Sequence, residues 1–308
     1  MADATNTLAG ILNLGDANVE IEVSNLLQGT PVLNAMEAVP STHGHTHKYI
    51  RETVAAGGGF RAANAGISNS AGSIELETET LKFLDASWED DVAIAKAMAT
   101  GKGGVEAWIA DRTRRSLAAA FVTVEKQFIY GDQAPGLTAG FQGLIDVIDS
   151  SMVVDKGGST ADVQTSIYAI RTSPTDAAAV FNGQDGGLIE VSDVYNVRKV
   201  DGSSNPYSAY RCDIDGYLGF QAGNKYTVGR LCNIEDAVTD DDLAELLSKF
   251  PSGQQPSFLA MNRDALLYLQ ASRTATNPTG APAPFPADAF GIPIIVTDQI
   301  VSTEAVVA

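Results

Sequence analysis

The chain has 308 residues, and 38 acidic against 20 basic side chains leave a formal net charge of −18. So acidic a surface repels phosphate, which argues against non-specific nucleic-acid binding, while a hydrophobic fraction of 44% is ordinary for a globular protein with a large core. No run approaches the ~20 apolar residues that span a bilayer, and an N-terminus carrying Asp3 and Asp16 without a basic region is not a secretory signal. Cys212 and Cys232, with no CxxC, read as two reduced structural thiols, a single bridge between them being the alternative.

Residues 1–40 are polar with scattered apolar positions, including Val19, Ile21, Val23, Leu26 and Leu27, and are punctuated by Pro31 and Pro40. They read as an arm with little core of its own. Residues 41–86 read as extended. His43, His45 and His47 alternate, and in SIELETETLKF Glu75, Glu77 and Glu79 alternate with Leu76, Thr78 and Thr80, the period of a strand. One face of such a strand is acidic and the other mixed. Two strands joined by a Gly-rich tip between Gly57 and Gly72 make a ribbon that is marginal alone and needs a partner surface.

Ser87-Trp88-Glu89-Asp90 predicts a helix start, with Ser87 as cap and Asp90 at the capping-box position. That helix runs through Met98 and stops at Gly101, Gly103 and Gly104. Residues 105–130 carry Val105, Trp108, Ile109, Leu117, Ala120, Phe121, Val124 and Phe128 near helical spacing, which predicts a helix about 40 Å long. It ends at Gly131-Asp132, before Pro135. Between 146 and 234 short β-branched and aromatic runs, each bounded by Gly, Asn, Asp or Pro, predict an antiparallel sheet. Thr239 and Asp240 cap a helix through Lys249, Asn262 caps another, residues 274–287 form a loop, and a closing strand follows Gly291. Helices and strands in separate blocks place the chain in the α+β class.

Chemistry is sparse. On a strand, His43, His45 and His47 would share a face within reach of one zinc, nickel or copper ion; the bland alternative is three polar residues on an exposed strand. The chain has only these three histidines, so a Ser-His-Asp or Cys-His system would have to be built in that segment. There is no G-x-S-x-G and no P-loop. The runs Glu89-Asp90-Asp91 and Asp240-Asp241-Asp242 lie at predicted helix starts, where cap and dipole explain them. No catalytic residue and no cofactor is expected. Arg112 and Arg115 share a helix face and Arg114 points elsewhere; they are solvated or paired within the chain, or they meet an acidic strand of a neighbouring subunit.

The order of these features resembles the major capsid proteins of tailed bacteriophages, with their Hong-Kong-97-type fold. The ribbon is matched through THKYIRETVAAGGGFRAANAG and SIELETETLKF, and Arg61-Ala-Ala-Asn64-Ala-Gly66 fits an Arg-x-x-Asn-x-Gly stretch common there. The spine helix is matched at 103–130, its exit by FIYGDQAPGLTAGFQGL, and the closing part by FLAMNRDALLYLQ and GIPIIVTDQI. The resemblance implies an N-terminal arm (1–40), an E-loop ribbon (41–86), P-domain helices with the spine helix (87–145), a β-rich segment shared between P- and A-domain in a way left open (146–234), and A-domain-like helices with a closing strand (235–308). It implies a non-enzymatic subunit that assembles with itself in hexamers and pentamers into an icosahedral shell enclosing DNA without specific contacts, in the virion, after assembly in the host cytoplasm. Portal, decoration protein and a separate scaffolding protein are the further partners expected, since residues 1–40 lack the heptads of a scaffold. Glu75, Glu77 and Glu79, with Arg51, Arg61, Arg112, Arg114 and Arg115, are the expected inter-subunit contacts. An encapsulin shell is the alternative within the same fold, and a metal-dependent hydrolase using His43, His45 and His47 is the alternative from another class.

Overall fold

The computed structural model describes residues 29–54, 56–66, 71–99, 104–133, 139–182, 189–275, 277 and 281–307. In chain order these form α1 (Pro31–Ala35), β1 (Glu37–Pro40), β2 (Thr46–Val54), β3 (Ser73–Thr80), β4 (Lys82–Asp85), β5 (Trp88–Asp91), α2 (Val92–Met98) and α3 (Gly104–Tyr130). There follow α4 (Leu144–Val147), β6 (Val153–Asp155), β7 (Thr165–Ile170), β8 (Ala178–Phe181), β9 (Glu190–Val191), β10 (Tyr195–Val200), β11 (Pro206–Cys212), β12 (Ile214–Gln221) and β13 (Val228–Ile234). The chain closes with α5 (Asp240–Ser248), β14 (Phe258–Met261), α6 (Arg263–Ala275), β15 (Asp288–Ala289) and β16 (Ile292–Val296). No helix among the described residues is long and apolar enough to cross a membrane.

Local chemistry explains the helix ends. Gly131 closes α3 at φ 53, a conformation in which a side chain would strain the backbone. A Cβ there would also lie 2.3 Å from the Gly143 nitrogen. The Thr239 hydroxyl accepts from the Asp242 amide while Asp242 accepts from the Thr239 amide at 2.8 Å, the reciprocal pair of a capping box. Asn262 Oδ1 accepts from the Ala265 amide at 2.8 Å and starts α6.

The strands predicted between 146 and 234 form where expected but do not make one antiparallel sheet. They divide among a six-stranded sheet ordered β15-β16-β14-β7-β13-β6, a five-stranded sheet ordered β1-β8-β12-β4 with β9 also on β12, and a three-stranded sheet ordered β10-β11-β5. Three pairings, β1 with β8, β6 with β13 and β14 with β16, are parallel. The division follows polarity. β7 and β13 are buried at every position and sit centrally, whereas β10 is exposed along most of its length and lies at an edge.

One core packs Ile167, Ala169 and Leu231 against Leu243 and Leu246 of α5 and Leu269 of α6. On the other side of β7, Tyr168 and Ile170 join Phe121, Val124 and Phe128 of α3 with Leu218 and Phe220 of β12. A third, smaller cluster joins Trp88, Ile109, Cys212 and Ile214. Both cysteines are buried and free.

Two further expectations change. The end of the predicted arm belongs to the core: Val32, Leu33 and Met36 are buried against α3, and Glu125 of α3, wholly buried, accepts from the Leu33 amide at 3.0 Å and from the Thr297 hydroxyl. Val32 and Leu33 on the helix and Met36 just after it bury the apolar surface that holds it. Val19 to Leu27 lie outside the described residues. Trp88–Asp91, predicted as a first helical turn capped by Ser87, is instead strand β5, paired with β11 so that Trp88 faces Cys212. Burial of the indole, with its Nε1–H donated to Thr113 at 3.1 Å, outweighs a local capping pattern; Asp91 is the true cap of α2, accepting from the Ala93 amide at 2.7 Å.

Candidate assembly surface

β2 and β3 pair antiparallel over Thr46 to Val54 and Ser73 to Thr80. Register puts Arg51 opposite Glu75, Tyr49 opposite Glu77 and His47 opposite Glu79. Because side chains alternate across a strand, these six share one face. The other face carries Ile50 opposite Leu76, with Ile74 opposite Glu52. Ile50, Ile74 and Leu76 are 65, 70 and 67% exposed, and Phe60 stands fully exposed toward the tip. In the sequence the acidic stripe dominates, yet Ile50 and Val54 on one strand and Ile74 and Leu76 on the other show the apolar one at the strand period.

The acidic face is graded. Glu75 is exposed, whereas Glu79 and Tyr49 at the root are half-buried. Burial pushes Glu79 up to about 7, with Lys82 opposing the shift and Asp132 and Glu77 adding to it. Burial likewise raises Tyr49, against a lowering backbone hydrogen bond from Ala222. Arg51 stands directly across the ribbon from Glu75. Arg61, near the tip, donates to the Ala65 carbonyl at 3.1 Å.

The helix arginines are largely engaged at home. Arg112 Nε donates to Asp90 at 2.8 Å, and Arg115 pairs with Asp111 one turn away. Arg114 is exposed on α3. Asp111 is an acidic neighbour of the arginines in the sequence, whereas Asp90 does not stand out as a partner there. Asp111 is detectable from its i, i+4 spacing to Arg115; Asp90 is reached only through the β5–β11 pairing.

The histidines do not line up. Strand β2 begins at Thr46, so His43 and His45 lie in the turn before it. His43 Nδ1 meets the Thr42 hydroxyl at 3.0 Å, His45 is exposed, and His47 is buried with Nε2 2.7 Å from Gln221 Oε1. Among the described residues no group of three His, Cys, Asp or Glu side chains is placed to hold a metal ion.

A two-stranded ribbon, the long helix α3 and a sheet packed against α5 and α6 make up a tailed-phage capsid fold. The fold is similar to that of a chain in the solved structure of bacteriophage Epsilon15, at TM-score 0.63 and 16% identity over 89% of this chain and 88% of that one. Fainter likenesses include the SrpI encapsulin of Synechococcus elongatus PCC 7942, at TM-score 0.44 and 9% identity over 66% of this chain and 87% of that one. The procapsid of bacteriophage JBD30 gives 0.44 and 11% over 93% and 100%. The chain belongs to the family described as Major capsid protein GP7, whose model matches residues 16–308. No curated protein matches the sequence.

Proposed function

We propose that this chain assembles with itself, as hexamers and pentamers, into the icosahedral shell that encloses double-stranded phage DNA. The observation that carries the reading is the ribbon: eight paired residues a side, with Ile50, Ile74 and Leu76 presented to water. A two-stranded ribbon is marginal alone, and an exposed apolar stripe of this kind marks an interaction site. A second copy of the chain is its occupant, as expected of a subunit present in many identical copies. Glu75, Glu77 and Glu79 then form the polar edge of that contact, where Arg61, Arg112, Arg114 and Arg115 of a neighbour supply cations worth about 0–1 kcal/mol each. They set register rather than strength.

The role is structural, without catalysis. A net charge of −18 suits a container that repels its contents. A separate scaffolding protein, a portal and a decoration protein complete the particle, which forms in the host cytoplasm. Negative-stain microscopy of the full chain tests the reading. The wild type, with its phage partners, gives closed shells of one size. The triple variant Ile50→Ser, Ile74→Ser, Leu76→Ser gives folded subunits and few or no shells. Undiminished shell yield from that variant overturns the proposal.

A further inference from the structure

At the root of the ribbon His47 is 5% exposed and its two ring nitrogens fare differently. Nε2 lies 2.7 Å from Gln221 Oε1. The Gln221 amide is oriented by its own Nε2, which donates to the Pro174 carbonyl at 3.0 Å, so Oε1 accepts and His47 Nε2 carries the proton. Nδ1 of the neutral ring is then an acceptor. It is buried and meets no hydrogen-bond partner among the described residues, an exception that asks for an explanation in a buried polar group. Directly across the ribbon, on the same face, stands Glu79. Side chains so paired have Cβ atoms about 4.5–5.5 Å apart, within reach of a rotating carboxyl. Beneath them runs β12, where a Cβ on Gly219 would come within 3.3 Å of Glu79 Cγ; the absent side chain lets the ribbon root approach.

We propose that Glu79 is a proton-operated fastener of the ribbon. In its neutral form the carboxyl donates to His47 Nδ1 and closes a one-way chain of hydrogen bonds, Glu79 to His47 to Gln221 to the Pro174 carbonyl, that ties the ribbon root to the five-stranded sheet. The carboxylate has no proton to donate, and the chain opens at its first link. The groups around Glu79 are His47 and Tyr49 on β2, Glu77 on its own strand, Lys82 just beyond it and Asp132 after α3; Arg51 lies farther out, opposite Glu75. Glu77 and Asp132 disfavour a second negative charge, Lys82 favours it, and burial decides against it, which places the ordinary carboxyl pKa of 4.5 at about 7 in the folded chain. A group raised on folding stabilises the docked ribbon fully below its unfolded pKa, and that contribution is lost as pH rises to its folded pKa.

Hydrogen–deuterium exchange on the full chain tests this, with rates corrected for the intrinsic pH dependence of exchange. Amide protection at the ribbon root, in residues 46–49 and 77–81, should fall on the order of tenfold between about pH 6 and about pH 8. Glu79→Gln, whose amide donates at any pH, should keep the high protection and lose the slope. Glu79→Ala should lose both. Independently of any variant, the carboxyl carbon resonance of Glu79 in labelled wild-type chain should titrate near pH 7, where the folded value lies. A flat wild-type profile, a Glu79→Gln slope equal to the wild type's, or a Glu79 midpoint near the ordinary glutamate value would each overturn the proposal.

Discussion

Strands β7 and β3 are both built from alternating side chains, yet all six residues of β7 are buried and none of the eight of β3 is. The first is covered by α3 on one side and by α5 and α6 on the other, within one subunit. The second has one partner strand and, beyond its root over β12, open water. Apolar residues at the same period are therefore covered within the subunit in one place and left open to water in the other, and only the surrounding elements decide which.

That contrast is broken most forcefully at the buried ion pair. Arg230 Nη2 contacts Glu304 at 3.0 Å, with both side chains nearly inaccessible, and Glu304 also accepts from Tyr130 at 2.6 Å and Ser166 at 2.5 Å. Glu304→Ala leaves the guanidinium buried without its counter-charge and should lower unfolding stability by about 3–5 kcal/mol in urea denaturation. Next, Leu231→Ala on β13 should cost about 2–5 kcal/mol, because its wholly buried site cannot collapse around the lost methyls. Asn262→Ala removes one cap from α6 and should cost about 1 kcal/mol. Leu76→Ala, the ribbon counterpart of Leu231→Ala, should change subunit stability by less than about 0.5 kcal/mol and yet reduce shell yield. A cost for Leu76→Ala equal to that of Leu231→Ala would erase the distinction between the two regions. The smallest effect is expected for Arg115→Ala, an exposed pair one turn apart with Asp111, at about 0.3–0.5 kcal/mol and less at high salt.

The same contrast explains what was legible beforehand. α3 shows in the sequence because its apolar side chains recur at helical spacing and Gly131 stops it. The ribbon shows because Glu75, Glu77 and Glu79 alternate without interruption. Trp88–Asp91 misleads because a Ser three residues before an Asp is a cap pattern wherever it stands, and its pairing with Ala209–Cys212 is settled by residues more than a hundred positions away. His43, His45 and His47 look equivalent in sequence; the turn before Thr46 separates the first two from the third, and only Gln221, also distant, shows which one is buried. The end of the arm is hard to read for a related reason, since Val32, Leu33 and Met36 are too few to announce a core that α3, β7 and β12 largely provide.

Helix α3 has a consequence of another kind. Its early residue Ile109 is set in the Trp88 cluster and its later residues Phe121, Val124 and Phe128 in the main core, so one rod of 27 residues is clamped at both ends. At 1.5 Å per residue that rod is about 40 Å long. A tilt of about seven degrees at the Ile109 clamp would swing Phe128, about 28 Å away along the rod, by about 3.5 Å, roughly the rise of one strand residue. The helix thus acts as a lever. An angular error too small to disturb packing at its pivot becomes a whole step of misalignment at its far end, so the close packing of both clamps is what keeps the Trp88 cluster and the main core in fixed register within the subunit.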